Sequence, residues 1–331
     1  MTKLQQKLLN ICAVVIVCAG AMVPAVTKAA LTDGLVAYYS FDGRYVNWQT
    51  GTLTNQGTGG GSLTLNSLST TTTTVAGIAG QGFYFASTTI PTNVASGTPS
   101  LTAVDNWTMS AWIKPQVISR TTGLVLHNGI DNGICGGSNC SGYGFGIGDG
   151  TGQAGSKLVG LFSGVAWIDS GYTFPAANQW YFVVMQRSGG TTKFYVNGVQ
   201  QSGSSAATPV APSTMLTIGG QVPYYTGSRL FNGVVDEVRM YNRVLTLPEI
   251  TQLYAQGKRV ISSSSKVQAT STTVTLSSGL IGYWTMDGKD VNWSTNTIID
   301  RSGNNNTGTF FGMSTTTSPY SGVVGHSLGF D

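Results

Sequence analysis

Charged residues are scarce in this chain of 331 residues, which carries 17 Lys and Arg against 13 Asp and Glu. Three of the lysines, Lys3, Lys7 and Lys28, lie at the amino terminus before Ala29, so the rest of the chain is nearly neutral. Proteins that bind nucleic acid through its phosphates need a concentrated positive charge. The composition therefore argues against a nucleic-acid partner.

Glutamate and histidine are also rare, which limits the catalytic chemistry that the chain can perform. Glycosidases place two carboxyl groups across the sugar bond, but the only glutamates here are Glu237 and Glu249. Glu249 is expected to cap a helix, and Glu237 to pair with Arg239 on one strand face. His127 has no nucleophile motif around it. We therefore expect no catalysis.

Glycine and hydrophobic residues are abundant by contrast. The sequence contains 45 glycines, and its residues are 41% hydrophobic and 10% aromatic. Such a chain can form a hydrophobic core and is not disordered as a whole. After Ala30, no segment approaches the roughly 20 apolar residues of a membrane-spanning helix. The mature chain is therefore predicted to be folded, turn-rich and without a membrane span.

Residues 1–29 have the pattern of a secretory signal peptide. Lys3 and Lys7 precede an apolar run from Leu8 to Met22, and Thr27 and Ala29 supply small residues before a cut. Cleavage after Ala29 would make the protein secreted, either extracellular or at the cell surface. An uncleaved membrane anchor is the alternative.

Two cysteines remain after the signal peptide, Cys135 and Cys140. In an oxidising compartment they are expected to form a disulfide that closes a small glycine-rich loop. A metal site is less favoured because it would need further ligands, and His127 is the only histidine in the first two thirds of the chain.

An internal repeat organises the chain. GLVAYYSFDG at residues 34–43 recurs as GLIGYWTMDG at residues 279–288, and the tripeptide VNW follows both copies at the same spacing. We predict a first module at 30–260, a Ser/Thr-rich linker at 261–277 and the opening part of a second, incomplete module at 278–331. The linker could also contain the first strand of the second module.

Alternating or continuous apolar patterns predict strands throughout the first module. Trp107–Lys114 alternates, Trp180–Arg187 is apolar on both faces, and Asn197-Gly198 is a strong signal for a type I′ hairpin. Further strands are predicted at Leu35–Phe41, Gly82–Phe85, Gly144–Ile147, Leu158–Phe162, Met215–Ile218 and Val234–Tyr241. The fold class is therefore all-β, an antiparallel two-sheet sandwich of jelly-roll type. A propeller is less favoured because the module has no repeat of about 45 residues.

A single short helix is predicted near the end of the first module. Thr246 and Glu249 form a capping box, and Gly257 is expected to end the helix. Its apolar face consists of Ile250, Leu253 and Tyr254.

Four segments of the first module are informative together: GLVAYYSFDG, WTMSAWIKP, NQWYFVVMQRSGGTTKFYVNGVQ and FNGVVDEVRMYNRVLTLPEITQLYAQG. In sequence and in order they resemble the laminin-G-like jelly roll of the concanavalin A-like lectin and glucanase superfamily. The resemblance implies a non-catalytic binding module, often repeated in secreted or cell-surface proteins. Its ligands would be glycans or proteins, sometimes with bound calcium.

The resemblance also suggests calcium ligands. Asp42 and Asp236 are the nominees, and Asn55 is a weakened third because the family has a carboxylate there, as the second copy does at Asp300. Strand alternation places Asp236 on the face of Val238, where a buried carboxylate needs a partner. The alternative is that backbone N–H groups or Arg44 satisfy these acids.

Aromatic residues in irregular segments are the candidates for ligand contact, because exposed rings combine apolar area with a polar edge. They are Tyr143, Trp167, Tyr172, Tyr224 and Tyr225. The predicted function is binding of a polysaccharide or surface glycoprotein, or adhesion. A structural surface-layer protein that self-associates and a glucanase-type glycoside hydrolase are the alternatives.

Overall fold

The fold is described from a computed structural model, which comprises two compact units, Met1–Asp33 and Gly34–Asp331. The described residues are 30–70, 73–86, 93–98, 101–119, 123–131, 140–221, 229–264, 280–313, 319–321 and 325–329. The predicted signal peptide, residues 1–29, lies outside them. None of the helices within these ranges has the length and apolar character needed to cross a membrane.

The described residues between 34 and 264 form a series of strands followed by one α-helix. The strands are β1 (Leu35–Tyr39), β2 (Val46–Asn47), β3 (Thr52–Thr54), β4 (Ser62–Asn66), β5 (Thr74–Ala76), β6 (Gln81–Phe85), β7 (Val94–Gly97), β8 (Trp107–Pro115), β9 (Gly123–Asp131), β10 (Cys140–Gly148), β11 (Lys157–Phe162), β12 (Ala166–Thr173), β13 (Tyr181–Ser188), β14 (Thr191–Val196), β15 (Val199–Ser205), β16 (Leu216–Ile218) and β17 (Gly233–Tyr241). The helix α1 spans Leu247–Ser264.

Two large antiparallel sheets enclose the core. One has the order β15-β14-β13-β8-β17-β6-β5, with β1 also paired to β17, and the other has the order β12-β11-β10-β9-β16-β7-β4-β3-β2. Large side chains from both sheets are buried in one cluster, including Tyr39, Phe85, Trp107, Phe145 and Phe194. The predicted antiparallel two-sheet sandwich with one helix is confirmed.

The β14–β15 hairpin forms where Asn-Gly predicted it. The φ angle is 52° at Asn197 and 83° at Gly198. These are the left-handed values that a type I′ turn needs at both central positions. The Asn197 side chain also accepts a hydrogen bond from the backbone N–H of Phe182 at 2.9 Å. The turn is thereby tied to the neighbouring strand β13.

Helix α1 begins as predicted but does not end at Gly257. The helix continues to Ser264, into the first residues of the predicted linker, and residues 265–277 lie outside the described part. Gly257 is buried against Trp112, and a Cβ there would lie 2.5 Å from the indole nitrogen. This glycine therefore allows the helix to approach the sheet closely, which explains why the prediction of a stop was wrong.

A bulge interrupts β17 at the two consecutive acids. Glu237 has a φ of 54°, and the pairing with β8 shifts between Asp236 and Arg239. Val235, Val238 and Met240 all face the core as a result. The expectation that Asp236 shares the face of Val238 was wrong, because the extra residue changes the phase of the alternation.

Residues 280–329 repeat the local pairing of the start of the first module. The strands are β18 (Val291–Asn292), β19 (Thr297–Ile298), β20 (Gly308–Thr309), β21 (Pro319–Ser321) and β22 (His326–Leu328). Val291 pairs with Ile298 as its counterpart in the first copy, Val46, pairs with Leu53. The boundaries of the modules stay a prediction.

Candidate functional site

Asp42, the first nominated calcium ligand, holds a turn. Its Oδ1 accepts a hydrogen bond from the backbone N–H of Gln81 at 3.1 Å. Gly80 precedes Gln81 with a left-handed φ of 58°, and a Cβ at Gly80 would collide with the same oxygen. Asp42 therefore fixes the glycine turn that leads into β6.

Asp236, on β17, accepts hydrogen bonds from the backbone of the same turn. It is fully buried, and its Oδ2 accepts hydrogen bonds from the backbone N–H groups of Ile78 at 2.8 Å and Ala79 at 3.1 Å. Its Oδ1 accepts one from the N–H of Glu237 at 2.7 Å. Burial, and then the neighbouring charge of Glu237, raise the pKa of Asp236 well above its ordinary value, although these hydrogen bonds act in the opposite direction.

Asn55 has a separate role in the loop beside β1. Its Oδ1 accepts hydrogen bonds from the backbone N–H groups of Tyr38 and Gly57, at 2.9 and 2.8 Å. Its Nδ2 donates to the carbonyl oxygens of Val36 and Gly60, at 3.0 and 2.9 Å. The amide thus uses two acceptor and two donor positions, which is its full capacity.

These residues do not fit a calcium site. Calcium takes six to eight oxygen ligands, yet no group of three or more His, Cys, Asp or Glu side chains in the described part of the chain could hold a metal ion. Backbone N–H groups approach the oxygens of Asp42, Asp236 and Asn55 instead. Arg44, the other partner considered for the acids, lies over the Tyr45 ring at 4.7 Å.

The expectation that Tyr143 lies in or beside a loop was wrong. Tyr143 is fully buried in β10, its ring stacks on Trp107 with centroids 3.9 Å apart, and its hydroxyl donates to the carbonyl of Ala103. Glycine at every second position of β10 obscures the apolar alternation that points Tyr143 into the core. The residue is therefore removed from the candidate ligand contacts.

Three other nominated residues lie outside the described part of the chain: Tyr224, Tyr225 and Cys135. Cys140 is buried at the start of β10. The disulfide and the two tyrosine contacts therefore stay predictions.

Trp167 and Tyr172 both lie on β12, the edge strand of its sheet, where irregular structure was expected. Tyr172 is partly buried, and its ring meets those of Phe174 and Tyr181 edge to face. Trp167 is half-buried, and the Arg229 guanidinium lies over its ring at 5.1 Å. Among the nominated aromatics that the structure describes, Trp167 therefore has the most polar surroundings.

Polar side chains lie over the half-buried indole and further along the same strand. Arg229 Nη1 donates to Gln221 Oε1 at 3.1 Å, and Lys157 Nζ lies 2.5 Å from Asp169 Oδ2, two residues along β12 from Trp167. The 149–155 loop reaches both positions, since a Cβ at Gly150 or Gly152 would touch Asp169 or Trp167. We call this group the Trp167 patch; it consists of Asp149, Lys157, Trp167, Asp169, Gln221 and Arg229.

Both carboxylates of the Trp167 patch favour the ionised form. For Asp169, burial raises the pKa, but hydrogen bonds from Lys157 and the N–H of Gly171 lower it overall. Hydrogen bonds from the Thr151 hydroxyl and N–H and from the Gln153 N–H lower the pKa of Asp149. At neutral pH the patch therefore has two anions, two cations, an amide and an indole.

Sequence reasoning missed the polar members of the patch because they belong to separate strands and loops. One signal was present: Lys157 and Asp169 flank a short turn at Gly164, so a β11–β12 hairpin places them on adjacent strands. The sequence analysis did not predict this hairpin because it placed Trp167 in or beside a loop. Arg229 and Gln221 had no comparable signal.

The two glutamates are engaged elsewhere, as predicted. Glu237 Oε2 lies 2.5 Å from Arg239 Nη2, and Glu237 Oε1 accepts a hydrogen bond from the Tyr38 hydroxyl at 2.9 Å. Glu249 binds Arg243 at 2.8 Å and the N–H of Thr246 at 2.8 Å. His127 is buried, with Nε2 2.8 Å from Ser163 Oγ.

The two antiparallel sheets define an all-β sandwich of jelly-roll type. A laminin-G model described as the concanavalin A-like lectin/glucanases superfamily matches residues 86–251, half of the chain. The chain belongs to this superfamily. No curated protein sequence matches it significantly.

Several solved structures are similar. Domain 4 of AbnA, a GH43 extracellular arabinanase from Geobacillus stearothermophilus, in complex with arabinotriose, is 20% identical over 66% of this chain and 98% of that domain, with a TM-score of 0.49. Trypanosoma rangeli sialidase is 18% identical over 69% of this chain, with a TM-score of 0.47, and the botulinum neurotoxin type G receptor binding domain is 12% identical over 68%, with a TM-score of 0.46. This chain spans 33% of that sialidase and 51% of that toxin domain.

Proposed function

We propose that this protein is a non-catalytic carbohydrate-binding or adhesion module, secreted or attached to a cell surface, and that it binds a glycan at the Trp167 patch. The observation that carries the proposal is the half-buried Trp167 ring with the Arg229 guanidinium over it and the Lys157–Asp169 ion pair two residues along the same edge strand. The partner would be a polysaccharide or a surface glycoprotein.

The composition of the patch suits a sugar. Sugar rings present apolar C–H groups together with hydroxyls that both donate and accept hydrogen bonds. Trp167 offers apolar area and an N–H, Lys157 and Arg229 can donate, and Asp169 can accept, while the buried Gln221 accepts from Arg229 and helps to orient it. Binding sites commonly combine apolar area with a few polar groups that fix orientation.

The same groups are unsuited to glycoside hydrolysis. A general acid must hold its proton near neutral pH, which requires a raised pKa. The pKa values of Asp149 and Asp169 are lowered instead, and Glu237 and Glu249 are tied to arginines. We therefore infer binding without cleavage.

A glycan array probed with the full chain tests the proposal, with and without a calcium chelator. We expect binding to one glycan class that Trp167→Ala weakens about tenfold or more, since a buried aromatic anchor contributes about 1.4 kcal/mol or more. Phe311→Ala, at an exposed aromatic in residues 280–329, is the matched control and should bind normally.

Two results would contradict the proposal. The first is a glycan that binds equally well to the Trp167→Ala variant, and the second is release of reducing ends from the bound polysaccharide. Tyr224→Ala and Tyr225→Ala extend the test, because Gln221 and Arg229, which flank that segment closely in sequence, belong to the Trp167 patch.

A further inference from the structure

One side of the sandwich is formed by strands that lack charge. Between Arg44 and Asp105 the sequence contains no Lys, Arg, Asp, Glu or His. This run forms β2 to β7, which include the last strand of each large sheet on one side, β2 in one sheet and β5 in the other. Edge strands commonly carry charged side chains that keep other strands away. We call this the open side; it consists of residues 43–48 and of β5.

The opposite side of the sandwich is closed by its own strands. There the last strands are β12 and β15, and their backbones lie against each other. A Cβ at Gly203 would lie 2.1 Å from the carbonyl oxygen of Asp169, and one at Gly171 would lie 2.3 Å from Ser202 Oγ. Asp169 also forms the ion pair with Lys157. By contrast, the described residues include no strand that pairs with the outer edge of β2 or β5.

A short 3₁₀ turn, Gly43–Tyr45, belongs to the open side and leads directly into β2. Asp42 precedes the turn and accepts the hydrogen bond from Gln81 at the start of β6. Trp48 follows β2, and its ring stacks on that of Phe83 in β6 with centroids 5.5 Å apart. The turn is therefore fixed next to the β5–β6 hairpin.

The second copy of the repeat lies against this turn. Strand β21 lies beside Gly43–Tyr45 within the same chain. It is the counterpart of β5 at the offset that relates Gly34 to Gly279, and it pairs with β22 as β5 pairs with β6. Because β5 ends its sheet in the first copy, β21 would also keep a free edge in a complete second copy. The contact therefore does not depend on where the second copy ends.

The chemistry of the two surfaces matches. From Ser302 to Phe330 the second copy has no Lys, Arg, Asp or Glu, like the run that forms the edges of the first copy. Arg44 lies in the turn, and its guanidinium lies over the Tyr45 ring at 4.7 Å. Contact between weakly charged surfaces avoids the cost of desolvating unpaired ions. Strand β21 is therefore a suitable occupant of the open side.

We propose that the open side is a docking surface for the β21–β22 hairpin of the same chain, which holds the two copies edge to edge as one rigid pair. Domains joined by a linker alone move relative to one another, whereas a docked pair keeps one orientation. The open side consists of residues outside the Trp167 patch. The inference therefore does not depend on glycan binding.

Distance measurements between two spin labels on the full chain test the proposal. The labels are attached through unnatural amino acids at Val199 and Phe311, one in each copy, which are 64% and 87% exposed. Pulsed electron resonance should give one narrow distribution of distances. The double variant Arg44→Glu with Tyr320→Glu places like charges on the turn and on β21. It should roughly double the width of the distribution, because facing like charges repel each other.

Tyr320→Glu alone is the matched control. Its carboxylate faces the unaltered Arg44, so the distribution should stay narrow. Hydrogen exchange gives a second measurement: the amides of Gly43–Tyr45 should exchange about tenfold faster in the double variant than in this control. The proposal is overturned if the unaltered chain gives a broad distribution or if the double variant stays narrow. It is also overturned if the narrow distribution appears only at concentrations where sedimentation shows a dimer, since a second chain would then occupy the open side.

Discussion

Asn55 illustrates, at the scale of single residues, how one amide can replace a carboxylate. In the second copy Asp300 accepts hydrogen bonds from the N–H groups of Tyr283, Ser302 and Asn306, and the Asn304 and Asn306 amides donate to the Ile281 carbonyl. In the first copy, Asn55 itself donates to the corresponding carbonyl. The loop around Asn55 therefore needs a side chain that both accepts and donates hydrogen bonds, as an amide does.

Asn55→Asp should consequently destabilise the first module. The new carboxylate oxygen would face the carbonyls of Val36 and Gly60. The expected cost is about 1–3 kcal/mol in the free energy of unfolding, which urea unfolding at neutral pH measures.

Asn47→Asp is the matched control for this prediction. The Asn47 side-chain oxygen accepts hydrogen bonds from the N–H groups of Gln49 and Thr50, and a carboxylate can accept both. Its stability should therefore change by less than about 0.5 kcal/mol. Equal stability of the two variants would contradict the argument.

The side chain of Glu249 holds the start of α1 through Arg243 and Thr246. Burial raises the pKa of Glu249, but hydrogen bonds from Arg243 and Thr246 lower it overall. A lowered pKa in the folded state contributes stability above the unfolded pKa, and this contribution is lost as the pH falls through the folded pKa. The ion pair with Arg243 is therefore a stabilising contact near neutral pH and not in acid.

Glu249→Gln should lower stability by about 1–2 kcal/mol at pH 7. The difference from the unaltered protein should shrink as the pH falls below about 4.3, the ordinary pKa of glutamate. Thermal unfolding of both proteins between pH 7 and pH 3 measures this difference in stability. A difference that stays constant across this range would show that the carboxylate charge is not responsible.

At the scale of elements, packing of α1 on the sheet outweighs helix propensity. The rings of Tyr254 and Trp112 stack with centroids 5.6 Å apart, and Gly257 lies against the same indole. Alanine is the better helix former by about 1 kcal/mol. A methyl group at position 257 would nevertheless have to displace Trp112.

Gly257→Ala should therefore destabilise the module by about 1–3 kcal/mol, the usual cost of overpacking. Gln256→Ala, at the adjacent exposed position of the helix, should be neutral or slightly stabilising. Chemical unfolding of both variants decides the sign. Stabilisation by Gly257→Ala would mean that the contact with Trp112 is looser than described.

At the scale of the whole molecule, the sandwich is stabilised by its apolar core, and two carboxylates, of which one is fully buried, hold a turn. Asp236 and Asp42 hold one turn between β5 and β6 through backbone N–H groups. A calcium ion would compete with these N–H donors for the same oxygens. We therefore propose that the first module folds without calcium.

Removal of calcium should leave the melting temperature unchanged. The measurement is a thermal scan of the purified protein with excess chelator and then with calcium restored. Ligand binding to the native state raises stability by mass action. A fall of several degrees with chelator, reversed by calcium, would show that an ion does bind the folded protein.

The sequence alone determined the features that depend on local order. Asn197-Gly198 specified a hairpin because Asn and Gly readily adopt the two left-handed positions of a type I′ turn, and the alternation from Trp107 to Lys114 specified a strand. The repeat that begins at Gly34 and Gly279 was visible because the two copies have identical residues at the same spacing. These local signals were sufficient for the class of fold and for the start of the helix.

Only the tertiary structure decided which side chains meet. Arg229 lies over the Trp167 ring although the two residues are far apart in the sequence, and pairing of β11 with β12 lets Lys157 reach Asp169. The bulge at Glu237 and the close approach of Gly257 to Trp112 likewise depend on neighbouring strands and the sheet beneath. Long-range pairing sets these contacts, and no short window of sequence contains both partners.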